Sequence, residues 1–356
     1  MALDLTLVIP CYREGTHIEH SFPELLSALH RSRLDFEVLF IDDCSPDDTA
    51  SVVAELAPHM RFPVRFLRNE CNSGPGYTQN RAIELARASV LLIMTDDVFM
   101  RPGALRAHLD YHRRYPEPEA AALGKVIQSP ELRDTALMRN WDPFRFWLLE
   151  SGQELPYYMF WACNVSCKTE FMREHGMFRE HRGRAGAVAF EDLEVGYRLS
   201  RRGMALRYLD GAEALHYHPY TIDSGIARWY ERGLNLDEFR NFVPDPVLTV
   251  YFHVLDRHTF AEYRAVLSGP NSFKGKERSF AWHMFRHLVQ TAVLNRLTVA
   301  LLWRPLIDAA ERSPLAERLV NRSVYRAFFY YHFLRGVQDA YARFGFSDRV
   351  SAQSRH

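Results

Sequence analysis

Asp96 and Asp97 follow the apolar run Val90–Met94, with Thr95 alone between. Two neighbouring anions at the end of a buried strand repel each other and lose hydration unless something neutralises them. A divalent cation is the usual neutraliser, and an all-oxygen site suits Mg²⁺ or Mn²⁺. The carboxyl ends of strands in open α/β sheets are also where ligands bind. The plainer alternative is that the pair caps the next helix. A helix opening at Pro102 places its cap at Arg101, however, which leaves Asp97 too far upstream to serve.

Five further groups have residue types and spacing suited to chemistry. In Pro10-Cys11-Tyr12-Arg13-Glu14 the ring of Tyr12 can stack on a base and Arg13 can meet a phosphate. A half-buried loop aromatic is the alternative, favoured for that stretch alone. Asp42-Asp43 closes another apolar run, where a carboxylate can accept a base N–H or a ribose hydroxyl. An Asx turn competes for that role, but Asp47, Asp48 and Thr49 suit capping better, which leaves Asp43 as the ligand contact. Asn72-Ser73-Gly74-Pro75-Gly76, followed by Gln79-Asn80-Arg81, joins glycines that permit close backbone approach to a helix start that favours anions. Its spacing is neither a dinucleotide fingerprint nor a P-loop, and taken alone an ordinary turn explains it better.

In Phe190-Glu191-Asp192-Leu193-Glu194 three carboxylates at a helix start are favourable simply as surface charges. Asp192 nevertheless lies between apolar Phe190 and Leu193, where a carboxyl pKa can rise toward that of a working base. His216 and His218 share one face if Leu215–Pro219 is extended, and could supply a metal ligand or a phosphate contact. A structural role is the commoner outcome for such a pair.

The elements that must position these groups alternate. Apolar runs Leu5–Ile9, Phe36–Ile41, Val64–Leu67 and Val90–Met94 read as buried strands. Between them stand helices from about Ser21 (with Pro23 in its first turn and Phe22, Leu25, Leu26 and Leu29 on its apolar face), from Thr49 to Leu56, and from Tyr77 to Arg87. That rhythm predicts a mostly parallel sheet flanked by helices. Beyond about Gly103 the expected order is a helix Ala104–Tyr115, a strand Ala120–Ile127, an extended Met159–Cys167 and a helix Thr169–His175. A helix Glu191–Arg202 ending at Gly203 and two short strands, Ala205–Leu209 and Ala214–Tyr217, complete this part. Past Asp223 the chain reads as helix, with Phe280–Ala310 broken at Pro305 and an aromatic-rich Val324–Phe344.

Length and composition fit one large α/β domain plus an extension, or two domains, with 356 residues, 47% hydrophobic and 25% charged. The 44 Lys and Arg balance the 44 Asp and Glu, so no net field draws nucleic acid, and no nucleic-acid partner is expected. Met1-Ala2-Leu3-Asp4 has no basic leader, so no signal peptide is expected. The five cysteines are odd in number and form no Cys-x-x-Cys pair, which suits a reducing cytoplasm. No run is apolar for long enough to span a membrane.

Taken in order, Val8-Ile9-Pro10-Cys11-Tyr12, Ile41-Asp42-Asp43-Cys44-Ser45-Pro46-Asp47, Asn72-Ser73-Gly74, Thr95-Asp96-Asp97 and Glu191-Asp192 with Arg198-Leu199 resemble the family 2 glycosyltransferases of the GT-A fold. The resemblance covers about Leu5 to Pro219. It implies a GT-A catalytic domain over 1–223, with a nucleotide-binding part to about 103 and an acceptor part over 104–223, and a helical C-terminal extension over 224–356. It implies that Pro10, Tyr12 and Glu14 line the nucleotide pocket, that Asp43 meets the base, and that Asn72, Gly74 and Arg81 lie near the ribose and diphosphate. Asp96 would contact the ribose or the metal's water shell, Asp97 and His218 would ligate Mg²⁺ or Mn²⁺, and Asp192 would be the general base. The reaction implied is inverting transfer of a sugar from a nucleotide diphosphate sugar to a hydroxyl of a glycan or lipid-linked acceptor, as in polysaccharide biosynthesis. The chain departs from the family's Asp-x-Asp in having Thr95. It departs from the processive Gln-x-x-Arg-Trp in having Gly225 ahead of Arg228-Trp229, so a non-processive enzyme is expected.

A nucleotidyltransferase would share the sheet and the metal but needs a basic, glycine-rich loop after the first strand, which Pro10–Gly15 lacks. A non-catalytic nucleotide-sugar binding protein is disfavoured by the presence of both Asp97 and Asp192. The cluster Phe328, Phe329, Tyr330, Tyr331, Phe333 and Leu334, between Arg326 and Arg335, would pack internally, join two copies in a homodimer, or rest peripherally on the inner face of a membrane.

Overall fold

The computed structural model describes residues 3–12, 34–60, 62–144, 146–180, 190–268 and 279–345. Arg13, Glu14 and the expected helix from Ser21 lie outside the described residues. The rest form two compact units. One holds the described residues of Met1–Leu132, Asp142–Arg182 and Phe190–Pro219; the other holds those of Arg133–Trp141 and Tyr220–His356.

The first unit contains β1 (Leu5–Cys11), β2 (Phe36–Asp42), α1 (Thr49–Leu56), β3 (Val64–Arg68), α2 (Pro75–Leu85), β4 (Val90–Met94), β5 (Val98–Met100) and α3 (Ala104–Arg114). There follow β6 (Ala120–Gln128), β7 (Asn164–Lys168), α4 (Thr169–His175), α5 (Glu191–Ser200) and β8 (Ala205–His216). The strands form one mixed sheet in the order β3-β2-β1-β4-β7-β6-β8-β5. β3, β2, β1 and β4 run parallel, as do β6 and β8; β7 is antiparallel to both β4 and β6, and β5 is antiparallel to β8. β2 and β4 are buried at every residue, the condition that makes parallel strands read as unbroken apolar runs. The sheet and its flanking helices have the GT-A architecture.

Several boundaries differ from the sequence expectation for identifiable reasons. β1 continues through Pro10 to Cys11. β4 pairs with β1 only from Thr6 to Val8, so Pro10 has β2 alone beside it and its missing N–H breaks no ladder bond on the open side. α3 begins at Ala104, as the expected helix Ala104–Tyr115 does, after the left-handed Gly103; a start at Pro102, with Arg101 as its cap, is two residues too early. The chain is still tied to β8 at Arg101, whose N–H donates to the Glu213 carbonyl at 2.9 Å, and Gly103 then turns it into the helix. The two short strands expected over 205–217 are one strand, β8. Its register against β6 jumps between Gly124 opposite Leu209 and Val126 opposite Ala214, so Asp210 to Glu213 bulge. Lys125 ties that bulge down, 3.3 Å from Asp210 and 3.0 Å from Glu213. Only Asn164–Lys168 of the stretch expected to be extended is strand; Tyr157–Met159 is a 3₁₀ turn.

The second unit contains a short helix, Ala136–Asn140, and then α6 (Ile222–Phe242), α7 (Val247–Tyr251), α8 (Phe260–Ser268), α9 (Phe280–Val293), α10 (Arg296–Thr298), α11 (Arg304–Ala310), α12 (Pro314–Glu317) and α13 (Arg322–Phe344). α6 and α13 touch backbone to backbone: a Cβ on Gly233 would stand 2.0 Å from the Phe333 carbonyl oxygen, and one on Gly336 2.1 Å from that of Tyr230. Phe328 and Phe329 are fully buried beside Trp141, Ile222 and Ile307, so that part of the aromatic run packs inside its own unit. The long helix expected over 280–310 breaks at Leu294-Asn295 and not at Pro305. Asn295 accepts from the N–H groups of Leu297 and Thr298 at 3.0 and 3.1 Å and starts a new helix, whereas Pro305 sits in the first turn of α11, where its ring is tolerated. A π-helical turn, Val299–Trp303, joins α10 to α11.

Candidate active site

The carboxyl ends of β1, β2 and β4 carry Cys11-Tyr12, Asp42-Asp43 and Asp96-Asp97. Asp42 is fully buried and holds its own turn, accepting from the Ser45 N–H at 3.0 Å and from the Ser45 hydroxyl, with Arg68 Nε 3.3 Å away. Asp43 clamps the loop from Asn72 to Gly74. Its Oδ1 accepts from Asn69 Nδ2 at 2.8 Å and the Ser73 N–H at 2.9 Å, and its Oδ2 from the Gly74 N–H at 2.7 Å. Arg81 backs that clamp, donating to the Arg68 carbonyl at 2.8 Å and to Asn69 Oδ1 at 2.7 Å. Asp43, the Asn72–Gly74 loop and Arg81 are therefore one connected device. Cys44, next to Asp43, has φ 59, a left-handed conformation that costs a non-glycine residue about 1–3 kcal/mol. Across the crevice the Tyr12 N–H points at Asp96 Oδ2, 3.4 Å away, and the Tyr12 ring is 37% exposed.

Asp97 meets His216 and His218. Val98 is the register partner of His216 across the β5–β8 pair, and the Tyr217 N–H donates to the Asp97 carbonyl at 2.7 Å. That register brings Asp97 Oδ2 to 3.3 Å from His216 Nε2 and 3.2 Å from His218 Nδ1. The three potential ligand atoms lie within 4.8 Å of one another, the one group among the described residues that could hold a metal ion in this way. Burial works against the charge on Asp97, but hydrogen bonds from His216, His218 and Thr95 outweigh it and hold the carboxyl well below the usual range. Thr95, where the family pattern has an aspartate, donates its hydroxyl to Asp97 Oδ1 at 2.7 Å and so orients the carboxylate. Behind His216, Gln128 Oε1 is 3.3 Å from Nδ1, while Gln128 Nε2 donates to the His218 carbonyl at 3.2 Å. With a cation bound, Gln128 Oε1 could accept from Nδ1–H and free the Nε2 lone pair for the metal, the tautomer a ligating imidazole needs. Phe144 stands edge-on to the His216 ring at 5.3 Å and limits its rotation. Gln128 is an addition to the sequence reading, and His216, a candidate there beside His218, joins the group at Asp97.

Asp192 lies in the first turn of α5 and accepts from the Leu193 N–H at 2.9 Å. Phe190 ahead of it is buried with φ 71, a second strained non-glycine residue beside a candidate site residue. Glu194, a rival base by sequence, is buried and committed: Arg179 Nε and Arg198 Nε each lie 2.8 Å from its Oε1, and Arg198 Nη2 lies 2.9 Å from its Oε2. The same segment is tied to α2, since Asn80 accepts from the Phe178 N–H at 2.6 Å and donates to the Phe178 carbonyl at 2.8 Å. Gly76 lets the Arg179 carbonyl close in, for a Cβ there would stand 2.6 Å from that oxygen. Burial pushes the Cys163 thiol pKa well up, and the charges of Asp192 and then Asp97 add to the shift, so both carboxylates act on one atom.

Residues 6–179 match the family model described as Glycosyl transferase family 2. A validoxylamine A glucosyltransferase of Streptomyces hygroscopicus subsp. jinggangensis (strain 5008) is 27% identical over 288 residues, 72% of this chain and 65% of that protein. An N-acetylglucosaminyl-diphospho-decaprenol L-rhamnosyltransferase of Mycobacterium tuberculosis (strain ATCC 25618 / H37Rv) is 26% identical over 250 residues, 61% of this chain and 77% of that protein. In fold, the chain is similar to a mannosyltransferase of Pyrobaculum calidifontis solved in complex with GDP-Man and Mn2+, with a TM-score of 0.52 at 14% identity, covering 95% of this chain and 88% of that one. The chain spans less than two thirds of the length of several curated relatives it matches.

Proposed function

Because this chain belongs to glycosyl transferase family 2 and has the GT-A fold, we propose that its glycosyl transfer is metal-dependent, inverting and non-processive, from a nucleotide diphosphate sugar to a hydroxyl of a glycan or lipid-linked acceptor. The observation that carries this reading is the convergence of Asp97, His216 and His218 at the end of β4, beside Tyr12 and Asp96.

The donor set fits a divalent cation. Separations of 3.2 and 3.3 Å suit adjacent ligands on one six-coordinate ion, and Gln128 presents the carbonyl that a ligating imidazole needs behind it. One carboxylate with two imidazoles favours Mn²⁺ over the harder Mg²⁺, a shift from the all-oxygen set first expected. Bound there, the ion would supply Lewis-acid stabilisation of the departing diphosphate.

The chain's own residues do the rest. Tyr12 offers an exposed ring for a base to stack on. Asp43 fixes the Asn72–Gly74 loop against the crevice and keeps a lone pair on Oδ2 for a base or ribose donor. Arg81 keeps Asn69, and through it Asp43, in place. Asp96, turned toward the Tyr12 backbone, is the ribose contact. Asp192 removes the acceptor's proton as its oxygen attacks the anomeric carbon from the side opposite the diphosphate, which inverts the centre in one displacement. One relative is named for a diphospho-decaprenol acceptor, which favours a lipid-linked acceptor here.

Non-processivity is supported in the second unit. A glutamine in place of Gly225 would put its Cβ 2.6 Å from the Phe329 ring, and Trp229 packs edge-on against Trp141 and Phe333. The Arg228-Trp229 pair thus belongs to a helical core.

The test is a panel of nucleotide diphosphate sugars incubated with Mn²⁺ and candidate hydroxyl acceptors, following nucleoside diphosphate release. Metal-dependent release with a product of inverted anomeric configuration supports the reading. Pyrophosphate release would instead make the chain a nucleotidyltransferase. Tight nucleotide-sugar binding without turnover, on every acceptor, would make it a binding protein.

A further inference from the structure

Helix α9 carries Phe285, Leu288, Val289, Ala292 and Val293, an apolar stripe at i, i+3, i+4, i+7 and i+8. Such a stripe ordinarily faces a core. Here it faces solvent, while the opposite side of the helix carries buried His283, with Met284 packed into a small cluster around Tyr263. The exposure continues through α10 to α12: Leu297, Leu301, Leu315 and Leu319 are each between 67% and 73% exposed, and Phe285 and Leu288 stand at 65% and 61%. Large apolar side chains exposed this repeatedly along one stretch of chain mark a region that is covered in use.

The charges say what covers it. From Phe285 to Leu319 the exposed charged residues are Arg296, Arg312 and Arg318, all positive. The acids of the same stretch are drawn inward and engaged. Asp308 pairs with Arg304 at 2.8 Å, Glu311 accepts from the Leu137 N–H at 2.7 Å, and Glu317 pairs with Arg139 at 2.8 Å. A leucine-rich stretch whose exposed charges are arginines, with Asp223 beside it already paired to Arg304, is complementary to anionic headgroups over acyl chains. No helix among the described residues is long and apolar enough to cross a membrane, so the fit is to the face of a bilayer. We infer that α9 to α12 dock this chain on an anionic lipid surface, with leucines inserted and arginines at the headgroups. The aromatic run of α13, for which a membrane face is one of three roles open in the sequence, is partly spent on the interior through Phe328, Phe329 and Phe333.

The experiment is co-sedimentation of the full chain with phosphatidylcholine vesicles that contain or lack phosphatidylglycerol, with light scattering on the chain alone. The wild-type chain is expected to bind the phosphatidylglycerol vesicles and to bind pure phosphatidylcholine more weakly. Leu301→Glu with Leu315→Glu should lower partitioning on both by at least about tenfold. Arg312→Glu with Arg318→Glu should lower it by at least about tenfold on the anionic vesicles alone. Both pairs are exposed, and a circular dichroism melt matching wild type shows that the fold is intact. Absence of vesicle binding, or binding unchanged in both pairs, overturns the inference. A wild-type dimer that ignores vesicles and falls to monomer with Leu301→Glu would assign the surface to a second copy instead.

Discussion

Asp97 Oδ2 stands 3.3 Å from His216 Nε2 because Val98 and His216 are opposite one another in the β5–β8 ladder. Two residues 119 positions apart in the chain are thus held by the backbone register of a three-residue strand, and the geometry of the candidate metal site is a property of the sheet. His218 follows two residues on, its ring nearly parallel to that of His216 with centroids 5.5 Å apart.

Gln128 is expected to tune that site from behind. Gln128→Leu removes the acceptor that faces His216 Nδ1, and loss of such a partner typically costs about 10–100-fold in metal affinity. Calorimetric titration of Mn²⁺ into wild type, Gln128→Leu and Gln128→Glu checks this, with Gln128→Glu recovering most of the loss because a carboxylate also accepts from Nδ1–H.

Asp192→Asn is expected to lower turnover by about 10²–10⁴-fold, the usual worth of a general base, with nucleotide affinity nearly unchanged. Glu194→Gln separates the two carboxylates. It strips charge from a buried group bound by two guanidiniums, so its main effect should be a lower melting temperature. Steady-state kinetics beside thermal melts of both variants decide it. Normal turnover in Asp192→Asn with the loss appearing in Glu191→Gln would move the base to Glu191.

Much of this was legible in the chain. β2 and β4 were visible because strands buried on both faces must be apolar throughout, and the carboxylates at their ends stood out against them. Less visible was what the carboxylates do for one another. Asp43 holds Asn69, Ser73 and Gly74, some 26 to 31 residues away, and no local pattern encodes a clamp of that reach. His216 was undecided between structural and ligand roles because the β8 bulge at Asp210–Glu213 made one strand look like two and hid the register with β5. The commitment of Glu194 depends on Arg179, from a loop outside its own helix. The aromatic cluster on α13 is open in the sequence between packing, a dimer and a membrane face; Phe328, Phe329 and Phe333 are core, where Gly233 and Gly336 let α6 and α13 approach closely.

That approach yields its own prediction. Gly233→Ala would place a Cβ against the Phe333 carbonyl in a contact that no rotamer relieves. Overpacking of this kind costs about 1–3 kcal/mol or more, so a clear drop in melting temperature is expected. An unchanged melt would mean that the helices can separate without cost.

Acid sensitivity should come from two histidines away from the metal site. His108 Nδ1 and His112 Nε2 both contact the Ser166 hydroxyl, at 2.8 and 2.9 Å, and His108 Nε2 contacts Asn164 Oδ1 at 3.0 Å. Burial lowers their pKa values from 6.5 to about 4 for His108 and about 3 for His112, where the Lys168 charge adds to the shift. Both are neutral in the folded chain, whereas the unfolded chain takes up protons below about pH 6.5. The stability they contribute is therefore complete above about pH 6.5 and is lost as pH falls toward their folded values. Each adds about 1.4 kcal/mol per pH unit to the slope within that window. Urea unfolding between pH 7 and pH 5 should show the slope, and His112→Gln should make it shallower by about one histidine's share.

The central claim is that Asp97, His216 and His218 hold the divalent ion on which sugar transfer depends. The most direct measurement is the Mn²⁺ concentration dependence of nucleoside diphosphate release in wild type, Asp97→Ala and His216→Ala, with an accepted donor and with chelator as the zero point. The account predicts no release in chelator and a saturable rise with Mn²⁺ in wild type. It predicts a half-saturating concentration raised by at least about tenfold in His216→Ala and no recovery in Asp97→Ala, since a charged oxygen ligand is lost. Full turnover in chelator, or the same Mn²⁺ dependence in all three proteins, would contradict it.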